Sequence, residues 1–314
     1  MTRHRARPAA VRHVFATAAL ILGLGASAAD AQDRIRLGYG RLFVNDSLGE
    51  LQDRWQSGSI TASRVWGYQF DGTLPATPGD MIELRTHGRA IAPASLRAFD
   101  PDDRRYAGIL SVGAHTHFQR GAAEVTLGAD LVVTGPQTGV GQFQTALHDL
   151  ISIRPPAPRI LDEQIENGWH PTLVAEVGST RPLGDHARLR PFAEVRWGDE
   201  TLARAGVDLS FGQFGRDSLM VRDTVSGQRY EVIGVPENGF SLMLGADFAQ
   251  VADSIYLPDD RGPELKADRQ RLRAGLHWQG TGKSAFYGVT WLDEEFEGQD
   301  GGQVVGAARI SFEF

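Results

Sequence analysis

The sequence predicts an all-β protein: a transmembrane antiparallel β-barrel of about twelve strands with a helix-containing extracellular loop. The first observation is an alternation of apolar and polar residues that recurs in twelve segments. The second is the presence of tryptophans near the ends of those segments, and the third is a last segment that ends at Phe314. A soluble β-sandwich alternates in the same way, so the tryptophans and the terminal strand favour the barrel.

Residues 1–31 have the pattern of a signal peptide. "MTRHRARPAAVRH" carries four arginines and no acid, and "VFATAALILGLG" is an apolar run shorter than the roughly 20 residues that span a membrane. Ala29-Asp30-Ala31 then offers an A-x-A cleavage pattern. We therefore expect cleavage after Ala31 and a mature barrel over 32–314; the alternative is an uncleaved anchor.

Charge and cysteine content exclude several function classes. Loss of the signal peptide, with four arginines and one aspartate, lowers the net charge from −7 to −10, which argues against a general nucleic-acid binder. The chain has no cysteine, which excludes disulfides, thiolate nucleophiles and zinc–thiolate sites. The mean hydropathy of −0.25 is typical of soluble proteins, but alternating barrel strands keep this average low as well.

The alternation is clearest in "GFSLMLGADF", "RQRLRAGLHW" and "RLRPFAEVRW". One side of each segment is apolar and the other is polar or charged, as where Arg271 and Arg273 flank Leu272. In a membrane barrel the apolar side contacts lipid and the charged side faces the lumen. The tryptophans expected to form an interfacial girdle are Trp66, Trp197, Trp278 and Trp291.

The number of strands sets their directions. The twelve predicted strands are 33–45, 57–70, 80–92, 105–119, 122–134, 170–182, 187–198, 201–212, 239–252, 265–279, 284–295 and 303–314. An even number places both termini in the periplasm, so the connections after odd-numbered strands face outside. The segment 213–238 is long for a periplasmic turn and has no sequence-based explanation. The last strand, "GAARISFEF", resembles the assembly signal recognised by the barrel-assembly machinery.

The long outer connection 135–169 is predicted to contain helices. In "GQFQTALHDLIS" an apolar stripe runs through Phe143, Leu147 and Leu150, and "RPPAP" ends the helix. Gln144 and His148 are four residues apart and so share a face beside that stripe. A second short helix is expected over "ILDEQIEN".

Two outer connections carry the candidate site. Asn45, Asp46 and Ser57 flank the first connection, and Gln144 and His148 lie in the long one. An imidazole beside acid and amide oxygens can activate water, and the oxygens of Asn45 and Asp46 suit Ca²⁺. Each residue alone also has an ordinary explanation: a solvated histidine, a turn start, or, for Asp53 and Arg54, a surface ion pair.

Four segments together resemble one known family. They are "NDSLGELQDRWQSG", "IAPASLRAFDPDDRRYAG", "GADLVVTGPQTGVGQFQTALHDLI" and "DEQIENGW". Their order and spacing are similar to those of the lipid A 3′-O-deacylase family of Gram-negative outer membranes. The resemblance covers most of the mature chain.

The resemblance implies a twelve-stranded barrel whose site lies at the outer rim, between the barrel wall and a loop helix. It implies a Ca²⁺-dependent carboxylic ester hydrolase that removes a 3′-O-linked acyloxyacyl chain from lipid A, the lipid of lipopolysaccharide. His148 would be the general base, Asn45 and Asp46 would hold or orient the metal and water, Ser57 would match an essential Ser/Thr, and Gln144 would support the site. We expect a monomer in the outer membrane with its site on the extracellular side.

Some residues depart from the family pattern. Gln56 replaces a tyrosine, Ser59 a glycine and Arg105 a proline, and Arg154 stands where an acid near the metal is expected. A slip of the alignment would make Ser59 or Thr61 the relevant hydroxyl. Gln56 and Arg154 motivate one alternative, a non-catalytic structural or binding barrel. The charged inner faces of the strands motivate another, a small pore.

Overall fold

The computed structural model describes residues 33–234 and 238–312. The predicted signal peptide and Phe314 lie outside the described residues. Within these ranges, no helix has the length and apolar character that a membrane-crossing helix needs.

Twelve long strands form one closed antiparallel sheet, as the sequence predicts. The first long strand pairs with the last, and closure is completed where the sixth strand pairs with the eighth. The fifteen strands in chain order are β1 (Ile35–Asn45), β2 (Trp55–Gly67), β3 (Ile82–Ala92), β4 (Ala107–Arg120), β5 (Ala123–Thr134), β6 (Gly168–Gly178), β7 (Arg181–Leu183), β8 (Ala187–Trp197), β9 (Glu200–Phe211), β10 (Leu219–Arg222), β11 (Arg229–Ile233), β12 (Gly239–Ser254), β13 (Asp268–Gly280), β14 (Lys283–Leu292) and β15 (Gln303–Phe312). β7, β10 and β11 are the short strands outside the twelve-stranded barrel wall.

The barrel wall has its apolar residues outside and its polar residues inside. On β12, Phe240, Leu242 and Phe248 are exposed, whereas Ser241 and Asp247 between them are buried. The same division separates the leucines of β13 from its arginines. The alternation therefore reports a lipid-facing outer surface, as expected for a membrane barrel.

Ion pairs connect the charged side chains in the lumen. Arg222 Nε lies 2.8 Å from Glu176 Oε2, and Arg222 Nη2 lies 2.8 Å from Asp208 Oδ2. Arg190 Nη1 pairs with the other oxygen of Glu176 at 2.8 Å, and Arg273 Nη2 with the other oxygen of Asp208 at 2.6 Å. Each carboxylate thus bridges two guanidinium groups, which satisfies charges that would otherwise be costly to bury.

The segment 213–238 had no sequence-based explanation; its described part up to residue 234 folds into the lumen and contains a hairpin. β10 and β11 pair with each other and not with the barrel wall. Tyr230 shares a 2.7 Å hydrogen bond with Ser63 on the inner side of β2, and Val221 and Val232 join the buried cluster that contains Leu42. The hairpin therefore acts as an internal plug.

The tryptophans lie in two groups, near opposite ends of the strands. Trp197 and Trp291 lie near the end away from the chain termini, together with Trp169 on β6, while Trp66 and Trp278 lie near the terminal end. Trp169 and Trp197 are exposed on the outer surface. This arrangement matches the predicted girdle.

The filled lumen leads to a test of the small-pore alternative. We expect the intact protein to show no open-channel conductance in planar bilayers, because the plug and the ion-pair network occupy the interior. Replacing 219–233 by a short Gly-Ser linker should open a measurable conductance, with heat-modifiable gel migration confirming the barrel. A stable conductance from the intact chain would contradict this expectation.

Candidate active site

Three connections meet at the barrel end away from the termini, here called the site end. They join β1 to β2, β3 to β4 and β5 to β6. The third contains helix α1 (Val140–Leu150) and helix α2 (Pro158–Asp162). Both helices occur where the sequence predicts them, although α2 is shorter and begins earlier than expected.

Helix α1 packs against the outer surface of the barrel wall. Gly108 lies on the same side of β4 as the exposed Leu110 and Val112, which is the lipid-facing side. A Cβ atom at Gly108 would lie 2.7 Å from Thr138 Oγ1 and 2.9 Å from Val140 Cβ. The missing side chain therefore lets the helix approach the wall closely.

The β3–β4 connection packs against the long connection between β5 and β6. Leu96 and Tyr106 pack with Ile160 of α2 in a buried cluster. The backbone of Ala157 donates to the carbonyl of Leu96 at 2.8 Å, and that of Ile165 donates to the carbonyl of Tyr106 at 2.8 Å. These contacts fix the position of the β5–β6 loop relative to the β3–β4 connection.

A β-bulge turns Ser57 towards helix α1. Trp55 has φ of 50°, and the pairing of β2 with β3 shifts register between Gln56 and Gly58. Gln56 enters the lumen, where its amide nitrogen donates to Glu295 at 2.8 and 2.9 Å. Ser57, the extra residue, faces the helix instead, because a bulge changes the side on which following side chains emerge.

Four side chains converge between the wall and the helix. Ser57 Oγ donates to Asp53 Oδ1 at 2.6 Å, and His148 Nε2 lies 3.2 Å from Asp53 Oδ2. Gln144 Nε2 lies 3.3 Å from Ser57 Oγ and 3.4 Å from Asp53 Oδ1. Ser57, Gln144 and His148 are buried, so this is a covered polar groove on an otherwise lipid-facing surface.

Two further contacts fix the orientation of the helix side chains. His148 Nδ1 lies 3.1 Å from the carbonyl oxygen of Arg154. A carbonyl oxygen only accepts, so Nδ1 carries a hydrogen, and Nε2, which faces Asp53, is the nitrogen that can gain or lose a proton. Tyr106 donates its hydroxyl hydrogen to Gln144 Oε1 at 2.8 Å, which turns the amide nitrogen of Gln144 towards Ser57.

Asn45 and Asp46 lie at the start of the β1–β2 connection. Asn45 Nδ2 donates to the carbonyl of Ser57 at 2.8 Å and so ties the connection to β2. Asp46 is buried and accepts from the backbone of Ser47 at 2.7 Å and of Arg54 at 2.9 Å. Burial, and then the negative charge of Asp53, raises the pKa of Asp46 to about 8.

The donor set fits a cation in part. Two carboxylates, Asp46 and Asp53, lie close enough for the charge of one to raise the pKa of the other, and a bound cation would relieve that repulsion. Among the described residues, no group of three histidine, aspartate or glutamate side chains is arranged to hold a metal. Any cation here would therefore also need amide, carbonyl, water or substrate oxygens.

The structure brings together all five predicted site residues and adds Asp53. The surface ion pair suggested for Asp53 and Arg54 is wrong, because Arg54 Nε pairs with Glu50 at 2.7 Å. Of the alternative hydroxyls, Thr61 donates to Asp223 of the internal plug segment, and Ser59 lies on the same inner side of β2. Only the spacing of Asp53 before Ser57 could have pointed to its role.

Two of the four departures from the family pattern, Gln56 and Arg154, have structural explanations. Gln56 is directed into the lumen by the bulge, away from the groove. Arg154 has an exposed side chain and contributes its main-chain carbonyl to His148.

The family model described as "Outer membrane protein LpxR" matches residues 15–314. The chain belongs to the LpxR family. It is therefore an outer-membrane protein, and the family resemblance seen in its four sequence segments is confirmed. The solved structure of LpxR from Salmonella typhimurium is similar in fold, with a TM-score of 0.72 and 16% identity over 88% of this chain and 100% of that chain.

Other barrels are more distant from this LpxR-family chain. The KdgM porin has a TM-score of 0.40 at 6% identity, covering 88% of this chain and 99% of that one. The NanC porin has a TM-score of 0.42 at 8% identity, covering 88% and 100%. No curated protein sequence matches the chain.

The close contact between helix α1 and Gly108 of the barrel wall can be tested by mutation. A Gly108→Val side chain would collide with Thr138 and Val140 and displace the helix from the wall. We expect tryptic cleavage after Arg159 to become about tenfold faster, because an undocked loop opens more often. The control is Val112→Leu, at an exposed position on the same side of β4, and unchanged cleavage in Gly108→Val would contradict the close packing.

Proposed function

We infer that this protein hydrolyses the ester that links a 3′-O-acyloxyacyl chain to lipid A. The observation that carries the inference is the convergence of His148 Nε2, Asp53, Ser57 and Gln144 in a covered groove on the lipid side of the barrel wall. Membership of the LpxR family supports a lipid A substrate and deacylation. An ester hydrolase needs a base and donors for the oxyanion, and the imidazole of His148 and the amide of Gln144 can supply them.

The chemistry begins at the imidazole. Because Nδ1 is held by the carbonyl of Arg154, His148 Nε2 removes a proton from a water molecule, and that water attacks the ester carbonyl carbon. The resulting imidazolium lies beside the Asp53 carboxylate, which stabilises its charge. Collapse of the tetrahedral intermediate breaks the bond to the sugar oxygen, which takes the proton back from Nε2. The products are a free sugar hydroxyl and the released acyloxyacyl acid.

The remaining polar groups position the reactants. Ser57 donates to Asp53 and so directs that carboxylate towards His148. Gln144, oriented by Tyr106, points its amide hydrogens into the groove, where they can donate to the oxyanion.

We propose Ca²⁺ as the cofactor, held by Asn45 and Asp46 next to Asp53. When bound, a divalent ion would act as a Lewis acid and stabilise the oxyanion. Asp46 and Asp53 lie close enough for their negative charges to repel, and a cation held beside both would offset that repulsion.

The proposed side of action is extracellular. Both ends of the described barrel chain lie at the end opposite the groove. In bacterial barrels with an even number of strands the termini are periplasmic, so the site end would face the outside, where lipopolysaccharide resides.

Substitution of the base tests the function. His148→Ala should lower deacylation by a factor of about 100 to 10,000, the usual contribution of a general base. The measurement is mass spectrometry of lipid A from cells that express each variant, and the matched control is Asp149→Asn on the exposed side of the same helix. Full deacylation by a folded His148→Ala protein would exclude the proposed mechanism.

Metal dependence is tested separately. Chelation should stop hydrolysis by the purified protein, and added Ca²⁺ should restore it. Ca²⁺ should also raise the melting temperature of the unmodified chain more than that of Asp46→Asn. If neither activity nor stability responds to Ca²⁺, the oxyanion is stabilised by protein donors alone and the metal proposal fails.

A non-catalytic barrel remains the second candidate. It is favoured by the lack, among the described residues, of a three-membered acid or histidine group for a cation. Unaltered lipid A in cells that contain the folded unmodified chain would support this candidate over the hydrolase.

A further inference from the structure

We propose that the outward side of helix α1 lies in the acyl-chain layer of the membrane leaflet at the site end. The exposed surface, here called the rim face, consists of Phe143, Leu147 and Leu150 on that side of the helix and of Ile151 and Ile153, which directly follow the helix. On this proposal the groove opens sideways into lipid and not upwards into water.

The exposure of the helix is the reverse of that in a water-soluble protein. Phe143 is 68% exposed and Leu150 is 80% exposed, while the polar Gln144 and His148 are buried against the wall. A soluble helix would bury its apolar stripe and solvate its polar face. An exposed apolar patch of this kind marks an interaction surface.

The same helix also has an exposed polar side. Gln142 and Asp149 are exposed, and helical spacing places both away from the rim face. A helix that lies in a membrane interface has this pattern, with a polar side towards water and an apolar side towards lipid.

The rim face is continuous with the lipid-facing surface of the barrel. Helix α1 rests on Gly108, and Leu110 follows two residues along on the same side of β4. Leu110 pairs with Val133, which pairs with the exposed Trp169. The helix therefore lies about 7 Å along the strand from the row that holds an aromatic girdle residue, at the boundary of the hydrocarbon layer.

A second apolar side chain flanks the groove from the other connection. Leu51, two residues before Asp53, is 84% exposed and has φ of 61°. Residues other than glycine rarely adopt this left-handed conformation, so the backbone strain at Leu51 must be offset by the surrounding structure. Leu51 and the rim face thus place apolar groups on both connections that form the site.

Bilayer acyl chains fit this surface better than a second protein copy. The rim face joins an existing lipid-contact surface, which includes the exposed Leu110 and Val112 on the wall below. Its functional consequence rests on the proposed hydrolase: an acyl chain could then reach His148 from the leaflet without crossing water.

The absence of cysteine in the chain allows a direct test by single labels. A bimane fluorophore would be attached to Phe143→Cys or Leu150→Cys, with Val112→Cys as the lipid-facing reference and Asp149→Cys as the matched control. The full-length labelled proteins would be reconstituted into phosphatidylcholine vesicles whose acyl chains carry bromine, which quenches nearby fluorophores.

We expect quenching at 143 and 150 to approach that at 112 and to exceed that at 149 about threefold. Quenching at 143 and 150 as weak as at 149 would place the rim face in water and overturn the proposal. Weak quenching, together with a disulfide between two unlabelled copies of the Leu150→Cys variant, would assign the face to a second copy, which also overturns it. The readout does not depend on hydrolysis, so failure of the proposed function and failure of this inference are distinguishable.

Discussion

The arrangement of the site depends on one constraint: hydrocarbon accepts no unpaired polar group. The groove with Asp53 and His148 lies on the outer side of the barrel, where most of the exposed large side chains on the strands are apolar. Helix α1 resolves the conflict, because it turns Gln144 and His148 towards the wall and leaves Phe143 and Leu150 outside. The helix thus covers a polar site and at the same time extends the apolar surface.

The same constraint separates the site from the barrel interior. Gln56 and Ser57 are neighbours in sequence, yet Gln56 joins the lumen network and Ser57 joins the groove. A single bulge in β2 produces this division. The lumen, filled by ion pairs and by the hairpin of β10 and β11, can then stabilise the barrel without taking part in the chemistry.

The sequence predicted the twelve strands because apolar and polar residues alternate along each of them. This alternation arises where one side of a strand faces lipid and the other faces the lumen. The hairpin gave no such pattern, since its residues are largely buried on both sides within the lumen. Motif spacing predicted that Gln144 and His148 share one helix face, and both are buried on the same side of α1. Asp53 was missed because an aspartate in a turn is common, and the direction of Ser57 depends on pairing with β3, which no local pattern reports.

The contact between His148 Nδ1 and the main chain of Arg154 has an evolutionary consequence. Every amino acid supplies the same carbonyl oxygen, so the tautomer of this histidine is buffered against substitution at position 154. The residue at position 154 can therefore be substituted while the imidazole keeps its orientation, provided that the conformation of the loop backbone does not change. Relatives that differ there can therefore share one chemistry, and the identity of that side chain is a poor guide to whether a homologue is active.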